Sequence, residues 1–481
     1  MRNVFETLAA SARQWDRRPA IIEGNRVLDY QSLWREVECL RAQLDRHGVR
    51  AGQGIGVLAR NGCAFVIAAL GALGCGAVVM PIYFHLKRDE LRQMLARAAL
   101  GAIIAEGDCP PLEGASSQPL ELREGPSLRL VCVTGHAAES LVPDVEGAAF
   151  VRFTSGTTGA AKGVILTHEG VLDRTRAAND GLKLGCDDKV VWLLPMAYHF
   201  FASIILYLEV GAAIVLSPDH LAESVLEAAT RHEATFLYAA PMQVRLLAGA
   251  ASARQLPPTL QRVMSVSSRL PPQVAHDFHA RYGVPVAQGY GVIEVGLPIM
   301  NLDDAAEHPE SIGRPLPAFA VRILDEAMRP VVDGQTGQLG VRGPGMFAGY
   351  LSPRLTRQEL LRDGWFMTGD LAHRDRNGLI TIDGRSNSVI HVAGHKVFPE
   401  EIAAVLEQHP AVCRSRVTTR PHPQWGEVVH AEVQLHQDRS SVAAEDLLAF
   451  CRHRLSSYKV PASIAVVSAV DQTPSGKVRH G

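Results

Sequence analysis

The sequence predicts an α/β fold: a large N-terminal domain of parallel-rich sheets with helices, a β-rich subdomain, and a small α+β C-terminal domain. Three textures along the chain predict it. Over the first 310 or so residues, short apolar runs alternate with amphipathic segments, the pattern of strands and helices in parallel sheets. From about residue 311 the texture turns to short strands and glycine-rich turns. From 389 it becomes strand, helix, strand, strand, helix, enough to fold alone.

The apolar runs 54–58, 77–82, 102–105, 190–194, 213–216 and 235–238 are each four to six residues long and read as buried strands. Residues 30–47 and 221–232 carry the helical period between them. The stretch 64–82 holds no charged residue and is long enough to imitate a membrane span. Gly71, Gly74 and Gly76 break it into a short helix, 64–73, and a buried strand, 77–82. Residues 107–126, rich in Pro, Gly, Ser and Glu, read as a variable loop. The subdomain 311–384 carries strands at 321–324 and 337–341, with turns at Asp333-Gly334 and Gly343-Pro344-Gly345. A boundary falls at 385–388, dividing residues 1–384 from 389–481. Beyond it come a helix at 399–408, strands at 414–418 and 428–434, and a helix at 443–455.

With 481 residues, 47% of them hydrophobic, the chain can bury large cores. Its net charge of −2 supplies no basic field, so a nucleic-acid partner is not expected. The eight cysteines are scattered, with no Cys-x-x-Cys and no zinc-like spacing. Reduced thiols in a cytoplasm fit that usage, and the first residues, Met-Arg-Asn-Val-Phe-Glu-Thr, lack the apolar core of a signal peptide.

The most informative segment is Phe153-Thr154-Ser155-Gly156-Thr157-Thr158-Gly159-Ala160-Ala161-Lys162-Gly163. Glycines let successive N–H groups face inward, the hydroxyls add donors, and Lys162 adds a positive charge, which together suit a polyphosphate. Strand-like runs at 148–153 and 164–166 flank it. The spacing is not that of a Walker A loop, because no hydroxyl residue follows the lysine.

Further motifs follow in order: Pro195-Met196-Ala197-Tyr198-His199, Gln288-Gly289-Tyr290-Gly291-Val292-Ile293-Glu294, Thr368-Gly369-Asp370-Leu371, Gly384-Arg385, Gly394-His395-Lys396-Val397-Phe398-Pro399-Glu400-Glu401-Ile402, and Thr473-Pro474-Ser475-Gly476-Lys477. With these the whole chain resembles the adenylate-forming enzymes: acyl-CoA synthetases, nonribosomal-peptide adenylation domains and beetle luciferases. The resemblance implies two half-reactions. A carboxylate attacks the α-phosphate of ATP to give an acyl-adenylate and pyrophosphate, and a thiol then displaces AMP to form a thioester. The thiol belongs to coenzyme A or to the phosphopantetheine of an acyl or peptidyl carrier protein. The activity implied is that of an acid–thiol ligase.

The same resemblance assigns roles. Thr154, Ser155, Gly156, Thr157, Thr158, Gly159 and Lys162 hold the β- and γ-phosphates, Ser267 touches adenine, Tyr290 stacks on it, and Asp370 and Arg385 bind the ribose. Glu294 ligates Mg²⁺. His199 stands at the mouth of an acyl pocket lined by Phe200, Phe201, Val266 and Gly289. Lys477 bridges the carboxylate and the α-phosphate in the first half-reaction. Lys396 replaces it in the second, after rotation about a hinge at Asn387.

Departures from the family pattern qualify these roles. Ala161 replaces a usual proline and leaves the lysine in place. Ile293 stands where a threonine hydroxyl usually contacts phosphate or metal-bound water. Asn387 is uncharged where Asp or Lys is common. Val266, in Ser265-Val266-Ser267-Ser268-Arg269-Leu270, adds bulk where glycine is usual and points to a reshaped or shortened pocket. The stretch 198–203 offers no carboxylate for an α-amino group, which disfavours amino acids and favours a fatty or aryl acid. Ile293 leaves a second reading open, a ligase fold that stops at the adenylate or binds without catalysis.

Overall fold

Nine strands form the first sheet, in the spatial order Arg314–Pro315, Gly296–Asn301, Val286–Val292, Arg262–Ser265, Phe236–Ala239, Lys189–Trp192, Ala213–Leu216, Pro19–Glu23, Arg26–Asp29. Its interior pairs are parallel and its outer pairs antiparallel. Because the interior strands run one way, their carboxyl ends share an edge, where open α/β sheets place ligands. In register there, Trp192 lies opposite Tyr238, Tyr238 opposite Met264, and Met264 opposite Ala287.

The second nine-stranded sheet runs Leu355–Thr356, Gly349–Tyr350, Lys162–Thr167, Ala148–Thr154, Val78–Ile82, Gly54–Leu58, Ala102–Glu106, Leu128–Cys132, Ser116–Leu120. Four strands, Ala320–Leu324, Gly337–Arg342, Phe366–Arg374 and Ile380–Arg385, form a third sheet. The fourth joins His395–Val397, Ile390–Val392, Gly426–Leu435 and Val412–His422, with Ser463–Val467 parallel to Gly426–Leu435. This computed structural model describes residues 2–107, 116–123, 125–133, 140–154, 162–385, 390–392, 395–397, 399–423, 425–436 and 442–470.

Contacts divide the chain into two units. The larger comprises Met1–Phe84, Ala98–Arg152 and Gly163–Gly384; the smaller comprises His85–Arg97, Phe153–Lys162 and Arg385–Gly481. The smaller has its own core, in which Ile390, Val397, Ile402, Leu406, Val429, Ala431, Val433, Leu447 and Cys451 are buried.

Local chemistry explains the elements. Asp29 caps the helix Tyr30–Arg46 by accepting from Ser32 N at 2.6 Å. The helix Cys63–Gly74 is buried on every side through Leu73, so it lacks a polar face and reads in sequence like a membrane span. Gly76, at φ +75°, turns the chain into Val78–Ile82. No helix among the described residues is long and apolar enough to cross a membrane. The variable loop expected at 107–126 needs correction, because it contains the strand Ser116–Leu120, paired antiparallel with Leu128–Cys132. Its first four residues are exposed, so this edge strand carries no apolar alternation to betray it.

Candidate active site

The hairpin Val286–Val292/Gly296–Asn301 carries three of the expected site residues, Gly289 and Tyr290 in its first strand and Glu294 in its turn. Tyr290 donates its phenol to Asp370 Oδ2 at 2.5 Å. Asp370 is 3% exposed on Phe366–Arg374, and its own N–H is accepted by Thr368 Oγ1 at 3.1 Å. Thr368 in turn donates to Leu339 O at 3.0 Å. Gly369 between them has φ +79°, a conformation that Thr-Gly-Asp supplies without strain. The aromatic and the acid expected at adenine and ribose are thus joined by one hydrogen bond.

Gln288, buried in the first strand of this hairpin, donates Nε2 to Pro309 O at 2.6 Å and Ser311 O at 3.1 Å, while its Oε1 accepts from Leu270 N at 2.9 Å. It thereby anchors the turn after Ser265. Within that turn Ser267 adopts φ +78°, a strained value for a non-glycine residue. Its Oγ lies 3.5 Å from His199 Nε2. His199 itself is held through Asn61, which accepts from Met196 N and donates to Leu194 O, each at 2.8 Å. After His199 the chain makes a π-helical turn over Phe200–Ile204, a wide turn that recurs at functional sites. Phe200 and Phe201 are fully buried and pack on Phe150. Val266 is 4% exposed, and a Cβ added at Gly289 would meet its Cγ1 at 3.1 Å.

Glu294 sits in the turn of the hairpin, half-buried. Tyr350 Oη donates to its Oε1 at 2.9 Å. Burial, with the Glu294 charge beside it, pushes the Tyr350 phenol well above its usual range, so it acts as a donor. The turn is braced by Arg174, 2% exposed on the helix His168–Leu182. It donates to Ile293 O at 2.6 Å and to Gly345 O at 2.8 Å. Burial lowers its pKa to about 10, opposed by the Glu294 charge, so it stays cationic at neutral pH. The Ile293 side chain packs against the core while its carbonyl takes the Arg174 bond.

Sequence reasoning missed Arg174, Tyr350 and Asn61. Arg174 had a signal: it shares a helix face with buried Val171, Ala178 and Leu182, where a charge needs a reason. Tyr350 and Asn61 lie far from any motif and had none. Lys162 is half-buried at the start of its strand, Thr154 ends the strand before it, and Arg385 ends Ile380–Arg385. Lys396 lies in His395–Val397, opposite His391. Ser155, Gly156, Thr157, Thr158, Gly159, Asn387 and Lys477 lie outside the described residues.

Comparison with known proteins covers the whole of this arrangement. The sequence profile of the AMP-binding enzyme family matches residues 8–351, and that of the AMP-binding enzyme C-terminal domain matches residues 401–477. A sulfoacetate–CoA ligase of Cupriavidus necator is 30% identical over 99% of this chain and 97% of its own. A 2-succinylbenzoate–CoA ligase of Bacillus velezensis is 28% identical over 98% and 96%. A malonyl-CoA ligase solved as a ternary product complex with methylmalonyl-CoA and AMP superimposes with a TM-score of 0.80 at 26% identity, covering 97% of this chain and all of the other. An o-succinylbenzoate CoA synthetase from Bacillus subtilis shares the fold with a TM-score of 0.86 at 22% identity, over 98% of this chain and 96% of that one. The chain therefore belongs to the AMP-binding enzyme family and is an adenylate-forming acid–thiol ligase.

Proposed function

We propose that this ligase activates a hydrophobic carboxylic acid, fatty or aryl, and passes it to coenzyme A in the cytoplasm. The observation that carries the nucleotide end of this reading is the Tyr290–Asp370 hydrogen bond, 2.5 Å long. It ties the ring that would stack on adenine to the acid that would take the ribose hydroxyls, so one ligand orders both. A free carboxylate is a poor electrophile because its leaving group would be oxide. Joining it to AMP replaces that leaving group with a phosphate, and the developing charge needs fixed cations and donors. In this reading Thr154 to Lys162 receive the β- and γ-phosphates, Arg385 supports the ribose, Ser267 meets adenine, and His199 faces the acid.

Glu294 fits a magnesium ion. Its carboxylate is a hard oxygen donor, oriented through Oε1 by Tyr350, and Mg²⁺ needs only one or two such ligands when phosphate and water complete the set. The ion, when bound, would neutralise charge on the departing pyrophosphate.

Lys477 serves the first half-reaction and Lys396 the second, with Asn387 as the hinge that exchanges them. A carrier-protein phosphopantetheine is the other acceptor the same chemistry allows. The test is Lys477→Ala, assayed by acid-dependent pyrophosphate release and, separately, by thioester formation from a preformed acyl-adenylate. The first should fall at least about a hundredfold and the second far less. Equal loss in both would refute the exchange. Mass spectrometry of the product with each acceptor decides between coenzyme A and a carrier.

A further inference from the structure

A cleft of about 280 Å³ opens in the larger unit and shares no residue with the site around Tyr290 and His199. Val78 and Ala148, which line it, are the first residues of the parallel strands Val78–Ile82 and Ala148–Thr154. Thr154 ends the second of these, roughly 20 Å away at about 3.3 Å per residue. The cleft and the start of the phosphate loop therefore stand at opposite ends of one strand.

His168 begins the helix His168–Leu182 and lines the same cleft. It is 7% exposed, and its Nδ1 accepts from Val4 N at 3.2 Å. Burial alone acts on the ring's pKa, lowering it to about 4, so the ring is neutral and no neighbouring charge contributes. A neutral imidazole that accepts at Nδ1 carries its proton on Nε2. That N–H has no partner among the described residues.

Asn3 repeats the arrangement from another helix. As N-cap of Val4–Gln14 it accepts through Oδ1 from Phe5 N at 2.8 Å and Glu6 N at 3.4 Å. Its Nδ2 has two hydrogens to give and no partner among the described residues, and it too lines the cleft. Each side chain thus takes a helix-terminal N–H with one atom and offers an N–H with another, which carries the positive end of the helix toward the cleft. A ring nine-tenths buried, with an unpaired donor over a cavity, points to a ligand.

Arg2 stands beside them, its guanidinium on Asp173 and its backbone N–H on Glu169 Oε1 at 3.1 Å. Those two carboxylates are turned to Arg2 and leave the His168 ring unperturbed. Donors without acceptors of their own call for a ligand rich in lone pairs, and the helix ends favour one with negative charge. Much of the remaining lining is apolar or bare: Val78 and Val142 are 2% and 3% exposed, and Gly52, Gly76 and Gly147 add no side chains. The volume lies at the small end of ligand sites, which run from about 300 to 1,000 Å³.

We infer that this cleft is a second binding site, for a small organic oxyanion: a carboxylate or phosphoryl group held by His168 Nε2 and Asn3 Nδ2, on a short branched apolar body that lies against Val78 and Val142. The inference does not depend on the ligase reading.

Hydrogen exchange of the full chain tests it, with isobutyrate, isobutyl phosphate, acetate, inorganic phosphate and the neutral isobutyramide compared at matched ionic strength. At saturation, one of the two isobutyl anions should slow exchange at residues 4–8 and 168–172 about tenfold, and the better of them names the head group. Acetate, inorganic phosphate and isobutyramide should each protect less. Asn3→Ser keeps the cap and removes the Nδ2 donor, and should raise the half-saturating concentration about tenfold. Asn3→Asp keeps the cap but meets the ligand with a like charge, and should abolish the protection. No protection of these residues by either isobutyl anion, equal protection by isobutyramide or by the bare ions, or protection unmoved in Asn3→Asp would each overturn the inference. Protection confined to the turn after His199 would mean uptake as a substrate and would overturn it too.

Discussion

Arg174 in the larger unit and Lys459 in the smaller are both buried cations, 2% and 6% exposed, and they are held by opposite means. Arg174 spends its hydrogen bonds on two neutral carbonyls, Ile293 O and Gly345 O, and burial draws its pKa down to about 10. Lys459 is bracketed by Glu401 at 2.8 Å and Glu90 at 3.0 Å. Burial opposes its charge too, but Glu401 and then Glu90 outweigh it, and the pKa rises. The difference teaches what each cation is for. Lys459 is consumed within its own triad, an arrangement that locks segments together. Arg174 braces the Glu294 turn through the backbone and leaves the carboxylate itself available to a ligand.

The largest effect should come from Lys459→Met, which leaves Glu90 and Glu401 facing each other in a buried space. A loss of about 3–5 kcal/mol is expected, read as lost hydrogen-exchange protection confined to the smaller unit. Adding Glu90→Gln and Glu401→Gln should recover most of it. If the single variant were as stable as the parent, the triad would not be the lock described here.

Arg174→Met should cost less, about 3 kcal/mol, because it orphans carbonyls and not charges. Its loss of protection should centre on the helix His168–Leu182 and the turn at Glu294, with a fall in ATP-dependent pyrophosphate release. Loss of stability with unchanged release would separate the brace from the site and weaken the contrast.

The smallest of the three is a pH effect on the same helix. His168 accepts from Val4 N at 3.2 Å, and burial lowers its pKa to about 4. The folded value lies below the unfolded one, near 6.5, so the unfolded chain binds the proton first. Stability from this group is complete above pH 6.5 and drains as pH falls toward 4, by about 2 kcal/mol between pH 7 and pH 5. Urea midpoints at pH 7 and pH 5 should differ by more in the parent than in His168→Gln. An equal difference would show that His168 is not held neutral.

How far the sequence could be read follows the same physics. The interior strands were legible because burial on both faces demands a continuous apolar run, as in 54–58, and local spacing records it. The strand Ser116–Leu120 was not, because its side chains face water and only its backbone pairs. Among the candidate site residues, Tyr290, Asp370, Glu294 and His199 stand in motifs that can be read locally. Tyr350 and Arg174 reach the same turn from 56 and 119 residues away. Their role rests on pairings that no window of sequence contains.

The sequence by itself determined the α/β class and the family chemistry, since each depends on period, turn residues and short runs. Only the tertiary structure decided that Tyr290 meets Asp370, that Ser267 turns through a strained φ beside His199, and that Gly289 is already packed over. Close packing brings distant residues within a hydrogen bond or a methyl radius of one another, and what an acyl site admits is settled at that scale.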